Sequence, residues 1–248
     1  MRGDRVVTYC VGLLLKAGIV MLSDTRTNAG LDNIATYRKL FTFEVPGERA
    51  IAIMTAGNLS VTQTTLARLE EAMSDDPEAD PTRSILKAPT MLRVAELVGE
   101  ALSEVRGEIA GRMAGAERIA GASMIVAGQR RGGGPRMFLI YQEGNFIEAT
   151  EDTPFLQIGE HKYGKPILDR VVTPDLSMED ARKAVLLSMD STLRSNLSVG
   201  MPLDLAVIAE GDLRITERTR IEAGDARFAA MSEAWSHALR DAFSRIGL

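Results

Sequence analysis

Residues 6–30 contain the stretch that decides the fold, V-V-T-Y-C-V-G-L-L-L-K-A-G-I-V-M-L-S-D-T-R-T-N-A-G. Two apolar runs, 7–15 and 19–23, flank a short K-A-G turn at 16–18. This pattern predicts a β-hairpin whose glycine supplies a positive φ angle. Because apolar residues occupy successive positions in both runs, both faces of the hairpin must be covered by other parts of the protein. The hairpin is therefore predicted to be a buried, central part of a layered fold.

The rest of the chain alternates between groups of strands and groups of helices. Strands are predicted at 39–44, 50–56, 122–127, 136–142, 146–149, 203–209 and 213–220, and helices at 59–73, 91–113, shortly after 159, 177–196 and 225–245. No proline-rich linker or internal repeat divides the 248 residues. Two sheets packed face to face with helices outside would cover the apolar strands on both sides. We therefore predict a single α+β domain with four layers, an αββα sandwich.

The composition argues against several classes of function. The chain has 29 Lys and Arg against 34 Asp and Glu, and its formal net charge of −5 argues against a nucleic-acid partner. No segment approaches the roughly 18 uninterrupted apolar residues of a membrane span. A single cysteine, Cys10, and two distant histidines, His161 and His237, argue against a disulfide and against a metal site rich in these residues. We expect a cytoplasmic protein with no membrane partner and no metal.

The segment G-E-H-K-Y-G-K-P at 159–166 comes close to a phosphate-binding loop, G-x-x-x-x-G-K-[ST]. Pro166 has neither the hydroxyl that would contact a magnesium ion nor an N–H for a phosphate. Glu160 would also place a negative charge where the phosphates should lie. We therefore predict neither a nucleotide nor any other cofactor.

The register of the first hairpin decides which of its polar residues share a face. If the turn takes three residues, Asp24 lies opposite Cys10 and on the same face as Thr8, with Arg26 opposite Thr8. A two-residue turn would place Asp24 on the other face. Taken alone, Thr8 suits a β-strand, Asp24 a turn and Lys39 a solvated strand end. Only their combination points to chemistry.

Six segments occur in a fixed order from Thr8 onward: T-Y-C-V-G-L (8–13), S-D-T-R-T-N-A-G (23–30), Y-R-K-L-F (37–41), T-A-G (55–57), I-G-E-H-K-Y-G-K-P-I-L-D-R (158–170) and P-L-D-L-A-V-I (202–208). In this order they resemble the proteasome β-type family of N-terminal threonine hydrolases, and in particular its bacterial Anbu branch. The resemblance covers nearly the whole chain from Thr8. It implies the αββα sandwich of the N-terminal nucleophile hydrolases, formed by one domain over 8–248.

The resemblance implies catalytic roles for four residues. Thr8 matches the nucleophile, Asp24 the buried aspartate, Lys39 the catalytic lysine and Gly57 the glycine whose N–H forms the oxyanion hole. These residue types suit the chemistry, because a threonine hydroxyl is a poor nucleophile without an adjacent base. A free α-amino group on Thr8 would be that base, since its pKa of roughly 7.7–8 lies near the working pH.

Other positions carry over less directly. Glu160 stands where many family members have a serine, and Asn196 stands where they have an aspartate, in the run R-S-N-L-S-V-G at 194–200. The groups that support the threonine have therefore changed chemically, and such changes can alter rate or substrate. The third position of this supporting set is Ser198. Three further positions match the pocket beside the scissile bond: Thr27, Thr55 and Leu59.

The seven residues before Thr8 set a condition on this chemistry. While they are attached, Thr8 has an amide nitrogen in place of an amine, and the base is lost. Either the Val7–Thr8 bond is cleaved autolytically, or translation starts at a GTG codon for Val7 and the initiator methionine is then removed. Because seven residues make a short propeptide, we favour the second route. Residues 1–7 are thus expected to be a leader that the mature protein lacks.

The sequence therefore predicts a threonine peptidase that acts on peptides or unfolded proteins inside a homo-oligomer. The resemblance implies a ring or, for the Anbu branch, an open ring or helical assembly, while the sequence does not tell whether a regulatory ATPase takes part. Two alternatives remain open. One is an amidase of the same nucleophile type that acts on a small amide. The other is a catalytically quiet assembly protein, which Glu160 and Asn196 suggest.

Overall fold

The structure, a computed structural model, describes residues 8–28, 34–74, 76, 80–112 and 121–247. The leader at 1–7 and Met113, the predicted end of the second helix, lie outside the described residues. The strands are β1 (Tyr9–Leu15), β2 (Gly18–Asp24), β3 (Arg26–Asn28), β4 (Ile34–Thr36), β5 (Leu40–Val45), β6 (Arg49–Gly57), β7 (Ala122–Arg130), β8 (Arg136–Ile140), β9 (Phe146–Glu148), β10 (Phe155–Gly159), β11 (Leu203–Ala209) and β12 (Glu217–Ile221). The helices are α1 (Leu59–Met73), α2 (Met91–Arg112), α3 (Lys165–Val171), α4 (Met178–Ser195) and α5 (Ala226–Arg245), and a 3-10 turn covers Pro81–Arg83.

Two five-stranded antiparallel sheets form the centre of the molecule. The first has the order β10-β1-β2-β11-β12 and the second the order β5-β6-β7-β8-β9, while β3 and β4 form a separate short ribbon. An apolar core fills the space between the sheets. Helices α1 and α2 cover the outer face of the second sheet, and α3 and α4 cover that of the first. This arrangement confirms the predicted four-layer αββα sandwich.

Strand β1 shows why the apolar stretch decides the fold. Cys10 faces the core between the sheets, whereas Tyr9, Val11 and Leu13 belong to the core beneath α4. Every residue of β2 is buried as well. A strand with two covered faces needs apolar residues at successive positions, which is the pattern of the sequence. None of the described helices is long and apolar enough to cross a membrane.

The turn between β1 and β2 contains two residues, so the three-residue register was wrong. Leu15 pairs with Gly18 and Cys10 pairs with Ser23. Gly18 has a φ of +133°, and a side chain there would collide with the backbone of β11. Two-residue turns match the twist of paired strands, which explains the shorter connection. Asp24 is therefore not opposite Cys10, and strand alternation places it on the helix-facing side with Leu22.

One predicted strand is displaced. The prediction began at Leu213, but β12 begins at Glu217, and the preceding residues form a turn and an irregular segment. The Gly47 N–H donates to the Leu213 carbonyl at 3.2 Å, and the Ile215 N–H donates to the Glu44 carboxylate at 2.7 Å. These bonds tie Leu213 and Ile215 to the β5–β6 hairpin, and only from Thr216, whose N–H donates to the Val207 carbonyl at 2.9 Å, does the segment join β11. The short ribbon of β3 and β4 was not predicted.

Candidate active site

Thr8 immediately precedes β1 and is almost fully buried, with 5% of its surface exposed. Its carbonyl accepts a hydrogen bond from the Glu160 N–H at 2.7 Å. Tyr9 pairs with Gly159 at the end of β10. Gly159 has a φ of +85°, and a Cβ atom at this position would collide with the Thr8 carbonyl oxygen. The end of β10 therefore holds the backbone of Thr8 by a close approach that requires glycine.

Asp24 and Lys39 form a buried ion pair beside Thr8. The Lys39 Nζ donates to Asp24 Oδ1 at 2.7 Å, and the two side chains are 5% and 0% exposed. The same Oδ1 accepts the Tyr9 N–H at 3.1 Å, and this N–H belongs to the peptide bond between Thr8 and Tyr9. One carboxylate oxygen thus joins the lysine ammonium to the peptide bond that follows Thr8.

Asp24 reaches this position because it is the last residue of β2. It pairs with Leu203 of β11 and lies one residue beyond the final β1–β2 pair, Cys10 with Ser23. Its carboxylate therefore accepts the Tyr9 N–H. Elsewhere in a ladder, the acceptor of such an N–H is a backbone carbonyl of the neighbouring strand. Strand alternation gives the face that a side chain leaves from, but a carboxylate at a strand end can turn across that end.

The Asp24 carboxylate has three polar donors. Its Oδ2 accepts the Gly200 N–H at 3.3 Å, in addition to the two bonds on Oδ1. Burial raises the pKa of Asp24, while the charge of Lys39, its hydrogen bond and the N–H groups of Tyr9 and Gly200 oppose that rise. Donors of this kind favour the ionised form of a carboxyl group. We interpret the pair as a carboxylate that fixes an ammonium group.

Lys39 is tied to both sheets. Its Nζ also donates to the Arg26 carbonyl at 2.7 Å, at the start of β3. Its own carbonyl accepts the Thr55 N–H from β6 at 3.0 Å. The backbone of the lysine is therefore anchored on the second sheet, while its side chain extends to groups of the first sheet and of the β3–β4 ribbon.

Gly57 is the last residue of β6 and directs the chain toward α1. Its φ is +102°, and a Cβ atom there would collide with the Gly121 carbonyl. The next residue, Asn58, donates its N–H to that carbonyl at 2.9 Å and caps α1 with its side chain. The Cys10 thiol donates to the Thr55 carbonyl at 3.7 Å. The beginning of β1 and the end of β6 thus lie at the same end of the sandwich.

The three predicted pocket residues differ in their surroundings. Thr55 is buried and donates its N–H to the Lys39 carbonyl. Thr27 is half-buried in β3, directly after the Arg26 carbonyl that accepts the lysine ammonium. Leu59 is the first residue of α1 and is half-buried. Thr27 and Thr55 therefore adjoin the lysine from two directions, and Leu59 follows Gly57 by two residues.

The predicted supporting residues act through the backbone and through one loop. Glu160 contributes its main-chain N–H to the Thr8 carbonyl. Asn196 ends α4, and its side-chain oxygen accepts the N–H of the buried Ser198 at 2.9 Å. This bond shapes the short loop that leads to Gly200, whose N–H reaches Asp24. Asn196 and Ser198 thus belong to the loop whose Gly200 N–H bonds to Asp24.

Sequence reasoning missed Gly200 and Tyr9. A Cβ atom at Gly200 would collide with the Arg26 guanidinium, which donates to the Leu197 carbonyl at 2.9 Å. The only signal in the sequence is the glycine that closes the run at 194–200. For Tyr9 the sequence shows only an apolar strand residue.

The Tyr9 side chain anchors the residue next to Thr8 in the helix layer. Its hydroxyl bonds to the Ser188 hydroxyl at 2.6 Å and accepts a bond from the Gln157 amide at 2.6 Å. Burial raises the pKa of Tyr9 to about 12, against the opposing effect of these bonds. No group of three or more His, Cys, Asp or Glu side chains that would hold a metal ion occurs among the described residues.

Comparison with known proteins identifies the family. A family model described as Proteasome subunit matches residues 7–208. The chain is 49% identical to an Anbu (Gly-1) mutant from Hyphomicrobium sp. strain MC1, with 97% of this chain and 98% of that chain covered and a TM-score of 0.89. It is 41% identical to Anbu (ancestral beta-subunit) from Yersinia bercovieri, with 97% and 99% covered and a TM-score of 0.89.

A third similar structure is a helical assembly of the Anbu complex from Pseudomonas aeruginosa. The identity is 46%, 97% of each chain is covered and the TM-score is 0.89. A search of curated proteins found no match. The family model covers most of the chain, and the three structures agree with it over nearly the full length. The chain therefore belongs to the proteasome subunit family, in which it is similar to the bacterial ancestral β-subunit Anbu.

Proposed function

We propose that the protein is a threonine peptidase of the proteasome β type, with Thr8 as its nucleophile. The observation that supports this most strongly is the shared oxygen of Asp24, which accepts both the Lys39 ammonium and the N–H that follows Thr8. This bond network fixes a buried positive charge next to the residue that the family uses as nucleophile. Replacing a buried ion pair by apolar side chains often costs little stability. A contribution to stability therefore does not by itself account for this pair.

In the acylation step, the α-amino group of Thr8 takes the proton from Oγ, directly or through a water, as Oγ attacks the scissile carbonyl. The Lys39 ammonium stabilises the negative charge that develops on Oγ, and Asp24 holds the ammonium in place. The Gly57 N–H donates to the oxyanion of the tetrahedral intermediate. Collapse of the intermediate breaks the C–N bond, and the leaving amine takes the proton from the α-ammonium group.

The acyl group then remains on Thr8 Oγ as an ester. A water molecule gives a proton to the α-amino group and attacks the ester carbonyl. The ester bond breaks, the carboxylic acid product leaves, and Oγ regains its proton from the α-ammonium group. Thr27, Thr55 and Leu59 are the residues that we propose beside the scissile bond, and Glu160, Asn196 and Ser198 are proposed to support the threonine.

The mechanism requires a mature chain that begins at Thr8. We propose that residues 1–7 are removed or not translated, so that 8–248 forms the functional domain. Peptides or unfolded proteins are the proposed substrates, and the cytoplasm is the proposed location. A nucleic-acid, membrane or cofactor partner is not part of the proposal.

Self-assembly is the second part of the proposal. The similar structure from Pseudomonas aeruginosa is a helical assembly. We propose that this chain also forms a homo-oligomer, which is a ring, an open ring or a helical assembly. An interior space would then limit access to extended chains and short peptides.

The proposal is tested with three proteins: a chain that begins at Thr8, a chain that retains residues 1–7 in uncleavable form, and Thr8→Ala in the first background. Each is treated with a peptide electrophile directed at N-terminal threonines, and the adduct is located by mass spectrometry. We expect both an adduct on Thr8 and peptide hydrolysis in the first protein alone.

Each other outcome favours a different alternative. Hydrolysis of small amides without peptide hydrolysis would favour the amidase. An assembled chain that begins at Thr8, forms no adduct and hydrolyses neither substrate class would favour the catalytically quiet assembly protein. Intact mass of protein made from the native gene provides a separate test, because a mature chain that keeps Met1–Val7 is incompatible with the threonine mechanism.

A further inference from the structure

The second half of α5 carries large apolar side chains that face solvent. Leu239 is 50% exposed, Phe243 is 81% exposed and Ile246, which caps the helix, is 74% exposed. Single exposed apolar residues are common, but a contiguous group of this size marks an interaction site.

These residues continue a stripe that runs along the whole helix. The stripe consists of Phe228, Ser232, Trp235, Leu239, Phe243 and Ile246, which are three or four positions apart and so share one face. Its first half is held on α4, where the Ser232 hydroxyl donates to Asp190 at 2.7 Å and accepts a bond from Arg194 at 2.6 Å. From residue 237 to 247 every residue is exposed. The same face is thus covered at one end of the helix and uncovered at the other.

The charges of α5 all lie away from this stripe. At 100° per residue, the charged side chains lie at least about 100° from the centre of the stripe; they are Arg227, Glu233, Arg240, Asp241 and Arg245. Both signs occur on this polar face, with three basic and two acidic side chains, and it is therefore not the Lys- and Arg-rich face of a membrane-surface helix. An uncharged stripe fits an apolar partner.

We infer that the exposed half of the stripe packs against the same half of α5 in a second copy of the chain, as an antiparallel helix pair. An uncharged apolar stripe is complementary to itself, and a two-fold contact covers both copies at once. The helical residues 237–245 extend about 14 Å, which allows about two and a half turns of contact. Ala242 flanks the stripe and lets a second helix approach closely.

This inference specifies a surface for the proposed self-assembly and rests on it, but it does not depend on peptidase activity. Among the residues that the structure describes, none buries the side chains of Phe243 and Ile246, and the proposed self-assembly provides a second copy as the occupant of the stripe. The other occupants, a different surface of a second copy or a different protein, are outcomes of the experiment below.

Disulfide cross-linking tests the self-pairing directly. Cys10 is the only cysteine and is buried, and burial raises the pKa of its thiol, so it gives no background reaction. Three single variants place a thiol on or beside the stripe, Leu239→Cys, Ala242→Cys and Phe243→Cys. The matched control, Ser244→Cys, lies on the polar face. Mild oxidation should give a cross-linked dimer for at least one stripe variant and none for the control, because a disulfide needs Cα atoms within about 7 Å.

Charge substitution provides the second measurement. Leu239→Glu and Phe243→Glu should raise the protein concentration at which half of the chains are assembled at least tenfold, as measured by light scattering. Ser244→Glu should leave it unchanged. All three positions are exposed, so circular dichroism should report the same folded chain.

The outcomes distinguish a failure of the α5 self-pairing from a failure of the proposed self-assembly. Unchanged assembly in both stripe variants, with no cross-link, overturns the inference and leaves self-assembly intact. Weakened assembly without any cross-link means that the stripe packs on a different surface or protein, which also overturns the self-pairing. A wild-type chain that stays monomeric at every concentration overturns the proposed self-assembly itself.

Discussion

The buried ion pair of Asp24 and Lys39 allows a prediction that separates stability from catalysis. Lys39→Met removes the ammonium group with little change in length, and Asp24→Asn removes the carboxylate charge with little change in shape. Each single change leaves a buried charged group without its 2.7 Å partner. The expected loss of unfolding free energy is about 3–5 kcal/mol for each single variant. The double variant removes both charges, so its loss should fall short of the sum by about 2–3 kcal/mol.

The two single variants should also differ in their response to pH. In Lys39→Met, burial still raises the pKa of Asp24, and the charge that opposed this rise is gone. The folded state then binds a proton more tightly than the unfolded state, so the free energy of unfolding falls as the pH rises through the folded pKa. The loss of unfolding free energy in Lys39→Met, measured against wild type at the same pH, should therefore be smaller at pH 5 than at pH 8. Asp24→Asn has no such carboxyl group and should not show this trend.

The assay is urea unfolding of the four proteins at pH 5 and pH 8, with peptide hydrolysis measured in parallel. All three variants should lose hydrolysis, including the double variant, although its stability loss is smaller than the sum of the two single losses. Losses that add within about 0.5 kcal/mol would refute the reasoning, because they would mean that the two side chains are not energetically coupled. A double variant that hydrolyses peptides like wild type would refute the catalytic role.

Two further predictions concern the residues around Thr8. Gly159→Ala should lower the free energy of unfolding by at least about 1 kcal/mol more than Gly132→Ala, and it should also lower peptide hydrolysis. Both glycines have positive φ, but only the Cβ atom at 159 would collide with the Thr8 carbonyl. Equal losses of unfolding free energy in denaturant would contradict this prediction. Burial raises the pKa of Tyr9 to about 12, against about 10 for a free phenol, so the unfolded state releases this proton first as the pH rises. The free energy of unfolding should therefore fall between pH 10 and 12 by up to about 2.7 kcal/mol. This fall should be smaller in Tyr9→Phe, and an equal fall in both proteins would count against the buried phenol.

Local sequence signals predicted the helices and most strands well. The helix at 59–73 has the predicted bounds, and α2 begins at Met91 as predicted. The Ser177 side chain accepts the Asp180 N–H, as the capping box indicates. These features depend on residues within one or two turns of each other, which a sequence displays directly.

Features set by distant contacts were predicted less well. The register of the first hairpin depends on Gly18 and on the close approach of β11, almost two hundred residues away. The start of β12 depends on bonds from Leu213 and Ile215 to the β5–β6 hairpin. No local pattern of hydrophobicity carries information about either contact, so the sequence alone favoured a longer turn and a longer strand.

In the candidate site, too, the features that depend on distant contacts were harder to predict than the residue types. Asp24 and Lys39 lie in different parts of the fold, and only the resemblance to a family indicated that they meet. Gly200 was missed because its partner, Asp24, is 176 positions away. The residue types were visible in the sequence, whereas the shared carboxylate oxygen depends on the end of β2, the start of β1 and one loop after α4.

The backbone groups around Thr8 are bonded on its carboxyl side, which bears on the proposed loss of the leader. The Thr8 carbonyl is bonded to Glu160, and the following N–H is bonded to Asp24. Both bonds lie on the carboxyl side of the threonine, and Tyr9 is anchored further by Ser188. In the proposed mature chain, the nitrogen of Thr8 would be an amine in place of an amide, while both of these bonds involve groups that the mature chain keeps. In the proposed mechanism that single change supplies the base, so the lysine, the aspartate and the oxyanion donor can be assembled before the nucleophile becomes active.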